Sequence, residues 1–266
     1  MSEQTQEAEE PKAKAPAKES QKPSRTSEKS IIDSILGNKP KVEEISVDLP
    51  SKNRFYTLVD PAAPITIRAM TFEDERAMMS KKNVNVDVLN TLLSRCVTNI
   101  NIGQLLQMDK LFLVMKLREL SYGNTYTANI NCNGCRKDNP VEFTLDEMPV
   151  RYLEDGETDP MTIQLPVLKK EIKIRRPRVQ DEHYFANADF AVANLWRFVE
   201  EIDGHDEKGV LSKVIPQLPL KDAHAVLEAL SANQYGIDTK VRFVCNFCSH
   251  NEIMELPITA DFFTVS

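Results

Sequence analysis

The sequence predicts an α+β fold in which one strand–helix–helix–β-hairpin unit is used twice about a pseudo-twofold axis. Three observations lead there. Apolar runs alternate between period 2 and helical spacing from Ile45 onward, one block of sequence recurs 107 to 113 residues later, and each copy ends in a Cys-x-x-Cys pair.

The elements follow in order. Residues 1–30 hold no aromatic and no branched aliphatic side chain, and their six acidic and six basic groups cancel. Such a stretch buries too little to offset its backbone entropy, so 1–45 is expected as a disordered tail. Within it, Ile31, Ile32, Ile35 and Leu36 recur at helical spacing, with Ser30 placed to cap and Gly37 to stop. This segment, 30–37, reads either as a piece lying back on its own domain or as a helix docking into a partner's groove. Two units then follow, 46–155 and 156–266. ISVDLP and ITIRAM alternate as strands, and Thr71-Phe-Glu-Asp74 is a capping-box variant opening a helix to about Lys82. Val86, Leu89, Leu93, Cys96, Val97 and Ile100 form the apolar face of the next helix, which makes Cys96 a core residue. Asp109 is expected to cap a third helix that stops at Gly123.

The repeat is dense. Ile65, Ile67, Arg68, Asp74 and Glu75 match Ile172, Ile174, Arg175, Asp181 and Glu182, 107 residues on. Asp109, Leu117, Tyr122, Gly123, Cys132 and Cys135 match Asp222, Leu230, Tyr235, Gly236, Cys245 and Cys248, all 113 residues on. A small insertion near His205-Asp-Glu-Lys-Gly209 accounts for the change of offset.

Cys132, Cys135, Cys245 and Cys248 each sit between two alternating runs, so both pairs are placed at hairpin tips as knuckles. Two residues between thiolates let both sulfurs turn toward one ion, and two knuckles supply the four sulfurs of a closed structural zinc site. A redox pair would lie between a strand and a helix instead. An unassembled pair of knuckles and disulfide pairing remain as alternatives, and His250 reads as a loop histidine rather than a ligand. Joined this way, the two units share a four-cysteine Zn²⁺ knuckle pair with no open coordination position.

Composition narrows function. The 266 residues are 41% hydrophobic and 27% charged, with a net charge of −7. That is a globular composition, and no run approaches the ~18 apolar residues of a membrane span. The opening residues lack the apolar core of a secretory signal, so an intracellular protein is expected. The acidic body makes nucleic acid a poor partner. There is no P-loop, Rossmann fingerprint, nucleophile elbow or HExxH, and no catalytic residue is nominated. Asp203–Gly209 reads as a solvated turn. The basic run 168–179 reads as an edge strand with a charged solvent face, or as contact with an acidic partner or nucleic acid.

Leu49-Pro-Ser51 with Tyr56, Ile67-Arg-Ala-Met-Thr71 with Asp74 and Glu75, Asp109 leading to Leu117-Arg118 and Ser121-Tyr-Gly123, and then the Cys-x-x-Cys, occur in an order that resembles the baseplate hub proteins of T4-type tailed bacteriophages. The resemblance covers roughly 45–266. It implies a non-enzymatic protein that builds or helps assemble the central hub of a contractile tail. It would act in the host bacterial cytoplasm, or remain in the virion, with other hub proteins and the tape measure as partners. The competing reading is a zinc-stabilised nucleic-acid-binding or transcription accessory module.

Overall fold

The computed structural model describes residues 25–37, 42–79, 86–185, 192–232, 235–258 and 260–263. Residues 1–24 and 38–41 of the expected tail 1–45, and the helix end at 80–82, therefore lie outside the described residues. The chain divides into two compact units, Met1–Lys41 and Val42–Ser266.

In the first unit one helix, α1 (Arg25–Leu36), is described. It starts five residues before Ser30, so Ser30 lies inside it rather than capping it. Gly37 follows at φ +64°. Ile31, Ile32, Ile35 and Leu36 are all more than half exposed.

The body opens with an antiparallel sheet of β1 (Glu44–Val47), β2 (Ile65–Arg68) and β3 (Val97–Thr98), in that spatial order. Val47 pairs with Ile65 and Ile45 with Ile67, so the alternating residues face one side and bury together. Helix α2 (Phe72–Met79) opens on a capping box: Asp74 accepts the Thr71 amide at 2.9 Å while Thr71 Oγ1 accepts the Asp74 amide at 3.4 Å. Asp74 also receives Arg68 and Arg95 at 2.8 and 2.6 Å and is wholly buried. Helix α3 (Val86–Cys96) ends earlier than expected, because the chain turns into β3 at Val97. Val88, Leu92, Leu93 and Cys96 supply its buried face.

Helix α4 (Gln107–Tyr122) has no exposed residue along its length, which is why its sequence lacks a clean polar stripe. Asp109 does not cap it. The helix starts at Gln107 with Leu106 before it, and the buried Asp109 carboxylate instead accepts the Ser51 amide at 3.0 Å and the Tyr56 hydroxyl. Tyr56 in turn accepts the Leu106 amide at 2.8 Å. The helix thus uses its third residue to hold the β1–β2 connection. Gly123 ends it at φ +87°.

Two hairpins and a second sheet complete the body. Hairpin β4 (Thr125–Asn131)–β5 (Asp138–Thr144) buries Tyr126, Ala128 and Ile130 on one face. After β6 (Val150–Arg151), strands β7 (Met161–Gln164), β8 (Glu171–Ile174) and β9 (Val199–Ile202) form an antiparallel sheet in that order. Ile163 pairs with Ile172 and Met161 with Ile174. A 3₁₀ segment, Val179–Phe185, stands after β8 where α2 stands after β2. Helices α5 (Lys208–Val214) and α6 (Leu220–Ser231) follow, then β10 (Gly236–Ile237), which pairs with β6, and the hairpin β11 (Lys240–Val244)–β12 (Asn251–Glu255).

The basic run is corrected by this topology. Strand β8 is the central strand of its sheet, not an edge. Lys173 pairs with Glu201 at 2.8 Å, Arg175 with Asp181 at 2.6 Å, Arg176 with Glu157 at 2.5 Å and Arg178 with Asp159 at 2.9 Å. Its positive charge is largely neutralised within the fold, which removes the basis for a nucleic-acid face.

One core gathers residues from both ends of the body: Ile65, Ile67, Leu93, Leu113 and Phe143 pack with Phe243, Leu256, Phe262 and Phe263. A smaller core holds Leu165, Ile172, Ile174, Val199, Leu211 and Val226. The second hairpin therefore leaves its own sheet and joins the first. Tyr126 fixes this: its ring meets Phe262 edge-on at 4.9 Å and its hydroxyl donates to Pro257 O at 2.9 Å.

Candidate metal centre

Both Cys-x-x-Cys pairs sit at hairpin tips and fold alike. Cys132 donates its amide to Lys137 O at 3.0 Å and accepts the Arg136 amide at 2.8 Å; Cys245 does the same with His250 and Ser249, at 2.8 and 3.0 Å. Arg136 and Ser249 take positive φ, +61° and +59°. In each tip the amide two residues on points at the first sulfur, Gly134 N to Cys132 Sγ at 3.3 Å and Phe247 N to Cys245 Sγ at 3.4 Å. This local form turns two sulfurs and a pair of backbone dipoles toward one point.

The two points coincide. Cys132 Sγ lies 3.7 Å from Cys248 Sγ, Cys135 Sγ lies 3.6 Å from Cys245 Sγ, and all four sulfurs lie within 4.8 Å of one another. Sulfurs bound tetrahedrally at ~2.3 Å stand about 3.8 Å apart, so this spacing fits one tetrahedral metal ion. Cys132 and Cys245 are buried, Cys135 is half-buried and Cys248 faces solvent. Burial opposes ionisation of Cys245, yet the amides of Phe247 and Cys248 and the neighbouring sulfurs outweigh it and bring its pKa down to about 6. Against the His250 amide, burial and the other three thiols push Cys248 up to about 12. Four thiols crowded together do not ionise together unless a cation shares the space.

A second layer locks the tips, and little of it is announced in the sequence. The wholly buried Asn139 accepts the Asn246 amide at 2.9 Å and donates to Lys137 O at 3.0 Å. Asn133 donates to both Glu252 oxygens, at 3.1 and 2.9 Å. Lys137 Nζ stands 4.7 Å over the Phe247 ring. A Cβ on Gly134 would meet His250 Cβ at 3.1 Å and Cys248 Sγ at 3.4 Å, so a side chain here requires His250 to shift by a few tenths of an ångström. The signal for this layer is only the polar Asn-Gly and Asn-Phe filling of the knuckles.

The other nominated residues lie elsewhere. His250 turns its Nε2 toward Glu252, 3.6 Å away, and the four-ligand group is cysteine alone. Cys96 is buried beside Asp74 and its thiol is pushed up to about 11 by burial, which suits a core residue and not a nucleophile. Asp203 and Gly204 form a positive-φ turn after β9, with Asp203 paired to Lys170. Ile31, Ile32, Ile35 and Leu36 lie on α1, in the other unit. No helix among the described residues is long and apolar enough to cross a membrane.

No curated protein and no solved structure matches this chain. The family model described as T4 bacteriophage base plate protein matches residues 42–264, which takes in both sheets, both hairpins and the four cysteines. With that match spanning well over half of its length, the chain belongs to the T4 bacteriophage base plate protein family.

Proposed function

We propose that this protein is a non-enzymatic component or assembly factor of the baseplate hub, with a body clamped by one structural Zn²⁺ on Cys132, Cys135, Cys245 and Cys248. The family supports a structural baseplate role among other baseplate proteins. The observation that carries the rest is the four-sulfur cluster, which joins two hairpins from distant parts of the chain. All-thiolate ligation favours zinc, and a closed site of this kind stabilises rather than activates water. Zinc with four thiolates carries −2, so the site adds to an already acidic body.

The body reads as a duplicated unit, 46–155 and 156–266, related by a pseudo-twofold axis. Support comes from paired details. Arg68–Asp74 and Arg175–Asp181 are matching ion pairs, and Asp74 and Asp181 each accept an amide from three residues earlier at 2.9 Å. Asp109 and Asp222 each hold the turn that follows a sheet's first strand. The α1 face of Ile31, Ile32, Ile35 and Leu36 serves as a docking contact for a hub or tape-measure partner during assembly in the host cytoplasm.

Deleting the gene from the phage tests the role. Tails that fail to acquire a baseplate are expected, and mass spectrometry of purified virions decides between resident subunit and departing factor. Normal baseplates without the gene would remove the proposal. Truncation of residues 1–37 should leave the body folded and weaken co-purification of the hub partner.

A further inference from the structure

Two turns in the body are built alike and covered differently. Leu49-Pro50-Ser51-Lys52 follows β1, and Leu165-Pro166-Val167-Leu168-Lys169 follows β7. Each buries its leucine completely. Each closes with a lysine amide donating to that leucine's carbonyl, Lys52 at 2.7 Å and Lys169 at 3.0 Å, and both lysines take positive φ, +55° and +56°. Each also gives amides to a buried aspartate in the first turn of a helix. Ser51 donates to Asp109 at 3.0 Å; Val167 and Leu168 donate to Asp222 at 2.6 and 3.1 Å.

An acidic stretch of the chain lies over the first turn. Leu153 donates its amide to Pro50 O at 2.8 Å, Lys52 pairs with Asp155 at 2.8 Å, and Arg54 reaches the carbonyls of Glu154 and Glu157 at 2.7 and 2.8 Å. Pro50 and Ser51 are buried as a result. Over the second turn no described residue plays this part. Pro166 is exposed, Val167 and Leu168 are 49% and 43% exposed, and Leu220, two residues before Asp222, is 71% exposed. The covered turn carries Ser51 and Lys52, whereas the bare one carries two large apolar side chains, and Leu220 opens the helix whose Asp222 receives their amides. Apolar side chains grouped this way on a rigid turn mark a contact surface.

We infer that Val167, Leu168 and Leu220 form a docking site for a short turn-forming segment of another baseplate protein, an apolar residue followed by a carboxylate. It lies over Pro166 as Leu153–Glu157 lies over Pro50. Its amide would reach the carbonyl of the exposed Pro166, its apolar side chain would cover the patch, and a carboxylate would meet the exposed Lys169, which stands in this turn where Lys52 stands in the first. The inference rests on the reading of the body as a repeated scaffold unit.

The test uses the full chain and a fluorescein-labelled peptide of residues 151–158, the sequence that covers the first turn. Anisotropy should show saturable binding that weakens about tenfold or more in Leu168→Ser and in Val167→Ser, and that is unchanged in Lys52→Ala. Both serine variants change exposed side chains, and unchanged thermal unfolding confirms their fold. No saturable binding, or binding that both serine variants retain in full, overturns the inference and leaves the virion experiment standing. Self-association of the full chain that Leu168→Ser abolishes would make a second copy the occupant and overturn the choice of another protein.

Discussion

The side-chain oxygen of Asn139 accepts the backbone amide of Asn246 at 2.9 Å, tying β5 of one hairpin to the tip of the other across 107 residues of sequence. Asn139 is wholly buried and donates its own amide to Lys137 O, so one side chain holds both knuckles in register. Asn139→Ala is expected to cost about 1–2 kcal/mol in unfolding experiments, with Asn139→Asp no better because it cannot donate. The same change should weaken metal affinity about 10-fold or more, read by competition with a chromophoric chelator.

Metal analysis of purified protein should return one zinc per chain. Replacement with Co²⁺ should give the intense visible bands of a tetrahedral four-thiolate site. Any one of Cys132→Ser, Cys135→Ser, Cys245→Ser or Cys248→Ser should lower the metal content and the unfolding temperature together. Chelation should act on the whole body, because the second hairpin belongs to the larger core.

Gly134→Ala places a methyl group against His250 and Cys248. A cost of about 1–3 kcal/mol is expected from the displaced tip, together with faster zinc loss to a chelator. Gly156→Ala, where a Cβ meets nothing within 4 Å, is the matched control and should be near neutral.

Asp74 gives a pH signature. Burial works against its ionisation, but bonds from Arg68, the Thr71 amide and Arg95 outweigh that and hold the carboxyl well below the usual carboxylate range. The lowered value means that its contribution is fully present above the ordinary value of ~3.9 and is lost as pH falls through the folded one. Asp74→Asn should cost about 3 kcal/mol at pH 7, the low end for a buried pair because both arginines are partly exposed. The deficit relative to wild type should persist to pH 5 and shrink only in strong acid.

Tyr56→Phe removes the hydroxyl that donates to Asp109 and accepts the Leu106 amide. It leaves one oxygen of the buried Asp109 carboxylate and the Leu106 amide without this partner, while Ser51 still donates to the other oxygen, so a loss of about 1–3 kcal/mol is expected by denaturant titration.

The α+β class and the gathering of four cysteines are legible in the sequence because a knuckle is a local form: the alternating strands and the Cys-x-x-Cys lie within twenty residues of each other. The roles of acidic residues are less legible. Asp109 occupies a position suited to capping, yet its partners are Ser51 and Tyr56, more than fifty residues upstream, and no local pattern names them. The apolar run from Val86 to Ile100 shows no break at Cys96, so periodicity carries the helix past its end into β3. Strand β8 looked like an edge because its charges alternate with Ile172 and Ile174; its second neighbour is β9, whose Glu200 and Glu201 meet those charges. Opposite charges across a sheet allow a central strand to read as a solvent-facing one.

The crossing of the second hairpin into the first core also sets a clock. When a ribosome has released Cys132 and Cys135, these thiols have only each other, and Cys245 follows 110 residues after Cys135. At bacterial elongation rates of ~5–20 residues per second, the wait is about 5–20 s. Throughout it, the first hairpin lacks Phe243, Phe262 and Phe263, and a nascent chain holds at most half a metal site. Closure of the cluster is thus a late event that prematurely terminated chains cannot reach. Broken translation products would be left loose and open to proteases.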